Sequence, residues 1–312
     1  MNNQQDEQQE FFEVPDTSAL VLGLCDPERA YPTPEAAAYL RHVDLSKGAV
    51  LGEKIEASCV NGNGSQDDAE ALQLTVQRLL RDQAMLRKYR LRTLLAEQVQ
   101  QGACQLISVG AGIAPSEIDF VAAHQGCTAI GVDYSESSLQ VKRRIIAKAC
   151  PDVASKVDFL TADARNPEDL MQKLRQSTLW NNSSRKIWLL EGLVYYITED
   201  ETVRLMKSIL SRGESILVDW ARPDHEVSER HRLVVKLGTE VIAQRVGLTN
   251  EQYQRMDVDR VAQLCGADLA IKENSFDIEQ MRIKEGLTAP EHAFYKGLDG
   301  ALGVALLTPQ AA

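Results

Sequence analysis

The segment from Ile107 to Asp133 constrains the fold of this chain more than any other. An apolar run that ends at Val109 breaks into Gly110-Ala111-Gly112, and a second apolar run, after a helical stretch, ends at Asp133. Glycines at such a turn let the backbone bend sharply and approach a ligand where a Cβ atom would clash. An acid about 20 residues further on, at the end of a second strand, is placed to bind ribose hydroxyls. The segment therefore predicts a unit that binds an adenosine-type cofactor.

The residues after Leu106 alternate between strand-like and helix-like patterns, which indicates an α/β fold with a mostly parallel sheet. Predicted strands cover residues 106–109, 129–133, 157–162, 187–191 and 215–220. Predicted helices cover about 115–124, 136–149, 167–176, 199–211 and 257–265. Two more strands, near 269–276 and 301–307, are separated by a connection with no room for another long crossover helix. We therefore expect a hairpin-like pair at the end of the sheet, with one strand antiparallel to the rest.

The remaining segments suggest how the chain is divided. Residues 1–10 are rich in Gln, Asn and acids, which predicts a disordered leader and not a signal peptide. Residues 11–101 have helical patterns and predict an amino-terminal extension, while 102–312 would form the cofactor-binding domain. A charged helical insertion at 224–250 interrupts that domain. Together with the amino-terminal helices, it is expected to form a lid over the substrate.

The charge balance argues against several classes of partner. The chain has 34 Lys and Arg against 45 Asp and Glu, a formal net charge of -11. An acidic chain without a basic stripe is not expected to bind nucleic acid or an anionic membrane surface. No apolar run approaches the roughly 20 residues of a membrane span, and the six cysteines lack metal-ligand spacing. We therefore expect a soluble cytoplasmic protein without a metal site. The sequence does not predict its oligomeric state.

Two further acids narrow the choice of cofactor. Pro115 stands where the third glycine of the dinucleotide fingerprint would lie, and a lone G-x-G is also compatible with a plain tight turn. However, the third predicted strand runs into Asp163 and the fourth ends at Glu191, each at an edge where ligands bind in such folds. Either acid alone could be a helix cap or a surface charge. Together with Asp133 they suit ribose hydroxyls, an adenine amino group and a cationic amino group, as S-adenosylmethionine requires.

The chain resembles the class I S-adenosylmethionine-dependent methyltransferases, and within them the leucine carboxyl methyltransferase-like family. The resemblance covers roughly residues 85–222, and its most family-specific part is the block that begins at Leu190 and ends at Glu199. It implies a Rossmann-like fold with a seven-stranded, mostly parallel sheet whose last strand is antiparallel. The chain departs from the family at Ile113-Ala114-Pro115-Ser116, where Leu-Asp-Thr-Arg usually follows the glycines. The other matching motifs are Arg90-Leu91-Arg92-Thr93, Ser108-Val109-Gly110-Ala111-Gly112, Gly131-Val132-Asp133 and Ala162-Asp163.

The resemblance implies how the amino-acid end of the cofactor is held. Arg92 would bind the cofactor carboxylate, with Arg90 as the alternative, and Glu191 would bind the amino group. Arg87 and Lys88 belong to the same basic run, and we expect them on a solvated helix face.

The resemblance also implies how the rest of the cofactor is bound. Gly110 and Gly112 would pass beneath the methionine portion. Asp133 would bind the ribose, and Asp163 would contact the adenine. The expected cofactor-binding set is completed by the adjoining residues Ala111, Tyr134 and Ala164.

Methyl transfer from a sulfonium is an in-line displacement, for which the protein aligns the reacting atoms and excludes water. A carboxylate acceptor needs no base, whereas a hydroxyl does, and His225 just past the fifth strand is the candidate. His231 follows in the same insertion. Of Tyr195 and Tyr196, we expect one to pack in the core and the other to line the pocket and orient the substrate.

We predict O-methylation of a small molecule, such as a polyketide or peptide-like natural product, at a hydroxyl or carboxyl group. The alternative within the class is carboxyl methylation of a protein terminus. A nicotinamide-dependent oxidoreductase would explain Gly110, Gly112 and Asp133, but not Glu191 or the missing third glycine. A cofactor-binding scaffold without activity would also explain the acids.

Overall fold

A seven-stranded sheet forms the centre of the computed structural model, which describes residues 22, 26–44, 66–229, 232, 254–293 and 300–310. The apolar runs of the sequence supply its strands, because side chains on both faces of an internal strand are buried. The strands are β1 (Gln105–Val109), β2 (Thr128–Asp133), β3 (Val157–Thr161), β4 (Lys186–Leu190), β5 (Ser215–Ala221), β6 (Ala267–Asn274) and β7 (Leu302–Pro309).

The strand order is β3-β2-β1-β4-β5-β7-β6, and β7 runs antiparallel to both of its neighbours. The other strand pairs are parallel. The predicted α/β fold with a single antiparallel last strand is thereby confirmed. The order reverses between β1 and β4, so the carboxyl ends of these two strands border the crevice in which such sheets bind ligands.

Helices cover both faces of the sheet. Most follow the predicted bounds closely, because capping residues and apolar spacing mark them in the sequence. The described helices are α1 (Pro27–Ala30), α2 (Pro34–Leu40), α3 (Gln66–Gln100), α4 (Ser116–Ala123), α5 (Glu136–Ala149), α6 (Pro151–Ala154), α7 (Pro167–Leu174), α8 (Glu199–Leu210), α9 (Val258–Cys265) and α10 (Ser275–Lys284).

The connection between β6 and β7 differs from the prediction. The two strands pair antiparallel as expected, but α10 lies between them, and β6 ends at Asn274 instead of continuing through Phe276. The Asn274 side chain accepts hydrogen bonds from the backbone N–H groups of Phe276 and Asp277, and the Asp277 carboxylate accepts from Asn274 N at 2.9 Å. This reciprocal capping box starts a helix directly at the strand end. The prediction excluded only a long crossover helix, and it did not foresee α10, a helix of ten residues between two antiparallel strands.

The core consists of two layers, one on each face of the sheet. Alternate residues of a strand point to opposite faces, so Leu106 and Leu189 contribute to the layer shared with α3 and α4. Ile107 and Trp188 contribute to the layer shared with α7 and α8. Among the helices that the structure describes, none combines the length and the apolarity that a bilayer crossing requires. The predicted leader at 1–10 and most of the insertion at 224–250 lie outside the described residues.

Candidate functional site

The glycine turn after β1 is held against the end of β2. Gly110 and Gly112 adopt backbone φ angles of +78° and +45°, which residues other than glycine rarely adopt. The backbone N–H groups of Gly110 and Ala111 both donate to the carbonyl of Val132, at 2.8 and 3.0 Å. A Cβ atom on Gly110 would lie 3.3 Å from Cβ of Leu193, so the turn also packs closely against the segment after β4.

The Asp133 carboxylate is fixed by backbone donors on both of its oxygens. Gly112 N donates to Oδ2 and Ser135 N donates to Oδ1, each at 2.9 Å. An ionised carboxylate offers about four lone-pair positions, so it can accept two further hydrogen bonds. Tyr134, the next residue, has 80% of its surface exposed at the same edge. The structure thus joins the predicted glycine turn and the predicted ribose acid by a direct hydrogen bond.

Asp163 and Ala164 follow β3 at the adjoining part of this edge. The amide of Ala162 donates to the carbonyl of Asp133 at 3.0 Å, which places the two strand ends side by side. Asp163 is half-buried and forms a bidentate pair with Arg165, whose hydrogen bonds lower the pKa of that carboxyl. Ala164 is buried beside it.

Four charged side chains lie together beneath the segment after β4, and we call Arg87, Lys88, Glu191 and Asp219 the charge cluster. Lys88 Nζ forms an ion pair with Glu191. Arg87 contacts both acids, with Nη1 at 2.8 Å from Asp219 Oδ2 and Nη2 at 3.6 Å from Glu191 Oε1. Each of the four side chains has at most 10% of its surface exposed. The expectation that Arg87 and Lys88 lie on a solvated face was therefore wrong, because this face of α3 packs against the ends of β4 and β5.

Burial and pairing act in opposite directions on the two acids of the charge cluster. Burial alone would raise the pKa of Glu191, but Lys88 and Arg87 together hold it below its ordinary value. Ser116 at the start of α4 adds a hydrogen bond to Glu191 Oε2 at 3.2 Å. For Asp219, burial prevails and raises the pKa, although Arg87 opposes it. Glu191 is consequently the more firmly ionised of the two acids.

Asp219 also organises the segment that follows Glu191. Its carboxylate accepts from Gly192 N and from the hydroxyl of Tyr195, both at 2.7 Å. Tyr195 is buried, whereas Tyr196 is 41% exposed and meets the Tyr195 ring edge-on, with centroids 6.2 Å apart. Sequence reasoning missed Asp219. The available signal was a carboxylate within the apolar run Leu217-Val218-Asp219-Trp220.

The two arginines predicted to bind the cofactor carboxylate are placed differently. Arg92 donates to Asp119 Oδ2 at 2.8 Å and lines a cavity of about 90 Å³ together with Lys88 and Glu191. Arg90 instead pairs with Glu273 on β6, with Nε 2.5 Å from Oε2. The structure therefore places Arg92 on the same cavity as Glu191 and pairs Arg90 with β6 instead.

One of the two histidines proposed as bases, His225, lies in a short turn after β5. His225 is exposed on a 3-10 turn, Asp224–Glu226, whose first residue pairs with Arg255 at 2.5 Å. His231 lies outside the described residues. The geometry does not show His225 in contact with the charge cluster or the glycine turn.

Comparisons with known proteins agree with this architecture. Residues 45–210, more than half of the chain, match the sequence model of the family described as leucine carboxyl methyltransferase. A DUF574 family protein from Streptomyces avermitilis MA-4680 is 13% identical, with a TM-score of 0.55 over 82% of this chain and 96% of the other. A protein from Thermobifida fusca YX to which methyltransferase activity has been attributed is 15% identical, with a TM-score of 0.52 over 82% and 94%. At such identities the two structures show a shared fold. No curated protein matches the chain significantly.

Proposed function

Because the chain belongs to the leucine carboxyl methyltransferase family, whose members take their methyl group from S-adenosylmethionine, it is a methyltransferase, and we propose that it methylates an oxygen of a small molecule. One observation carries the cofactor-binding part of this proposal. The glycine turn, Asp133 and the charge cluster occupy one edge of the sheet, where its strand order reverses. That edge offers acceptors for a ribose and both charges for an amino acid.

We assign the nucleoside end to Asp133 and its neighbours. The carboxylate is held by Gly112 and Ser135, so its unused lone pairs are directed before any ligand arrives. The exposed ring of Tyr134 supplies an apolar face beside it, and Asp163 with Ala164 supplies the next part of the same edge. These contacts suit a ribose diol and an adenine ring.

We assign the amino-acid end to the charge cluster. Glu191, held ionised by its cationic neighbours, is the acid suited to an ammonium group. Lys88 and Arg87 are the cations that contact Glu191 directly, which makes them better placed than Arg90 to receive a carboxylate. Arg92 remains a further candidate, because it lines the cavity beside Glu191.

The amino-terminal segment supports a covering role for residues 11–101. Tyr31 is buried against Lys88, which donates to its hydroxyl, and Thr33 donates to Asp119 Oδ1 through both its amide and its hydroxyl. The segment is thus fastened to α3 and α4 above the cavity. We propose that it and the insertion at 224–250 enclose the acceptor, since closing a site against water favours transfer of a reactive methyl group.

The family description favours a carboxylate as the accepting oxygen. A carboxylate is ionised at neutral pH and attacks the methyl carbon without a base, while a sulfonium supplies the electrophilic methyl group. A hydroxyl would need a base, for which His225 is the candidate. A small acceptor is favoured over a protein terminus by the acidic chain, although fold alone does not determine a substrate.

Calorimetric titration tests the cofactor assignment. S-Adenosylmethionine and S-adenosylhomocysteine should bind, and NAD should not; binding of NAD alone would favour the oxidoreductase alternative. Methyl-labelled cofactor is then supplied with small carboxylic acids, small alcohols and phenols, and a peptide with a free carboxyl terminus. Esters release labelled methanol in alkali, whereas ethers do not. Labelling of the peptide alone would contradict a small acceptor.

The variant His225→Ala separates the two oxygen chemistries. Turnover with carboxylic acids should persist, since no base is required, and affinity for S-adenosylhomocysteine should be unchanged. If alcohols or phenols are the acceptors and the variant retains full turnover, His225 is not the base.

A further inference from the structure

The ammonium group of Lys142 on α5 is buried behind the glycine turn. Its side chain is 0% exposed, and Nζ contacts the carbonyl oxygens of Ala111 at 3.2 Å and Ala114 at 2.7 Å. The third contact is Glu117 Oε2 at 2.5 Å, from a carboxylate that is also 0% exposed. The three N–H donors of the lysine therefore have three acceptors, two of which belong to the turn.

A second side chain holds the same turn from behind. The hydroxyl of Tyr39 on α2 donates to the carbonyl of Ile113 at 3.0 Å. Three carbonyls between Ala111 and Ala114 are thus bound on the side of α2 and α5, while the amide of Gly112 is bound to Asp133. The peptide units that begin at Ala111, Ile113 and Ala114 therefore each have a named hydrogen-bond partner.

Stability alone does not account for the ion pair of Lys142 and Glu117. Removing two charges from water is costly, and well-packed apolar residues in place of a buried pair are often equally stable or more so. An apolar pair would fill the space but could not bind the carbonyls of Ala111 and Ala114. What the lysine adds is the placement of the turn.

We propose that Lys142 is a positioning residue for cofactor binding, which acts by holding the carbonyls of Ala111 and Ala114 so that Gly112 and Asp133 keep the geometry required by the ribose and methionine portions. This rests on the proposed function, since it concerns the same cofactor site. Lys142 does not itself contact the cofactor in this proposal. Its effect is transmitted through the backbone of the turn.

The chain provides a matched control at the opposite edge of the sheet. Lys186, the first residue of β4, is also buried, and its Nζ contacts the carbonyl of Ser184 at 3.0 Å and Glu214 at 3.5 Å. Its Nζ lies 4.5 Å from the centroid of the Trp180 ring, much as Lys142 Nζ lies 5.0 Å from that of Phe159. Lys186 shares the burial, the acid, the carbonyl and the aromatic ring of Lys142, but not the glycine turn.

The test compares two double variants. One combines Lys142→Met with Glu117→Gln, and the control combines Lys186→Met with Glu214→Gln. Affinity for S-adenosylhomocysteine is measured by calorimetry, thermal stability by melting, and hydrogen exchange by mass spectrometry of peptides spanning 110–115. The Lys142 variant should bind about tenfold or more weakly, as expected for the loss of hydrogen bonds to a charged donor, and should exchange faster in the turn. The Lys186 variant should have a lower melting temperature, with unchanged affinity and unchanged hydrogen exchange in the turn.

Each outcome decides the proposal. Unchanged exchange in 110–115, or unchanged affinity despite faster exchange, would overturn the positioning role of Lys142. Equal losses of affinity in both double variants would show that Lys142 affects cofactor binding only through the general stability of the fold. If the native chain binds neither S-adenosylhomocysteine nor S-adenosylmethionine, the proposed function fails, and hydrogen exchange still decides whether Lys142 holds the turn. Should the methionine variant not fold, Lys142→Gln in the Glu117→Gln background is measured, with smaller effects in the same direction.

Discussion

Replacing Asp133 with asparagine keeps the shape of the side chain and removes its charge. The carboxylate accepts one backbone N–H on each oxygen, from Gly112 and from Ser135. An asparagine amide has one oxygen and one NH₂ group, so one of the two backbone donors would face another donor. The turn would lose one fixed hydrogen bond. A ribose diol would then face at most one acceptor oxygen in place of the two oxygens of an ionised carboxylate.

The size of the effect follows from these contacts. A hydrogen bond to a charged group contributes about 1.5–3 kcal/mol, and about 1.4 kcal/mol corresponds to tenfold in affinity. Loss of one such bond to the ribose predicts a dissociation constant for S-adenosylhomocysteine that is roughly 10 to 100 times higher in Asp133→Asn. Isothermal titration calorimetry measures this directly, and thermal melting reports the accompanying loss of stability.

A matched control is Asp158→Asn on the neighbouring strand β3. Asp158 accepts a hydrogen bond from Phe159 N at 2.8 Å and another from the hydroxyl of Ser177, but it lies near the amino end of its strand. It should lose stability without losing affinity. Unaltered affinity in Asp133→Asn, or an equal decrease in both variants, would refute the assignment of Asp133 to the ribose.

Two further predictions concern the charge cluster. Lys88→Met should weaken binding of S-adenosylhomocysteine about tenfold in calorimetry, because it removes a cation proposed to receive the cofactor carboxylate. Arg90→Met should lower the melting temperature and leave the affinity unchanged, and the reverse pattern would restore Arg90 as the carboxylate ligand. The second prediction concerns pH. The pKa of Glu191 is depressed below its ordinary value of 4.5, so its contribution to stability is present above that value and is lost as the pH falls through the lower pKa of the folded state. The melting temperature of the native chain should therefore exceed that of Glu191→Gln by a constant amount above about pH 5.5, and by a smaller amount in stronger acid. A difference in melting temperature that does not vary down to about pH 3 would contradict the ionised state assigned to Glu191.

The placement of the glycine turn beside Asp133 could be predicted because its signals are local. A strand that ends in Gly110-Ala111-Gly112 and a second that ends at Asp133 must bring the glycines and the acid to one edge if the strands are parallel neighbours, as they are. The charge cluster could not be predicted in the same way. Rules of periodicity predict that charged positions of a helix are exposed to solvent. Arg87 and Lys88 are buried because they pair with Glu191 and Asp219, which lie at or just after strands roughly a hundred residues or more further along the chain.

The missed helix α10 has a different cause. Its start depends on a capping box at Asn274 and Asp277, a signal that was present in the sequence but stood inside a stretch with the alternating pattern of a strand. The strand and the cap were both real, and the boundary between them was set by the side-chain hydrogen bonds of Asn274. Local capping chemistry therefore decided what hydrophobic periodicity alone could not.

The composition of the charge cluster favours a zwitterionic ligand. Burying two acids and two cations costs free energy, and such a cluster is weak evidence for stability. Its formal charges balance, however, and the amino-acid end of the cofactor brings one positive and one negative group. Binding would therefore leave the net charge of this part of the buried region unchanged, while each group of the ligand meets a side chain of opposite sign. A cluster with only Glu191 would repel the carboxylate, and one with only Lys88 would repel the ammonium. In the proposed assignment, the pairing of both on one edge beside Asp133 suits this site to an amino acid joined to a nucleoside.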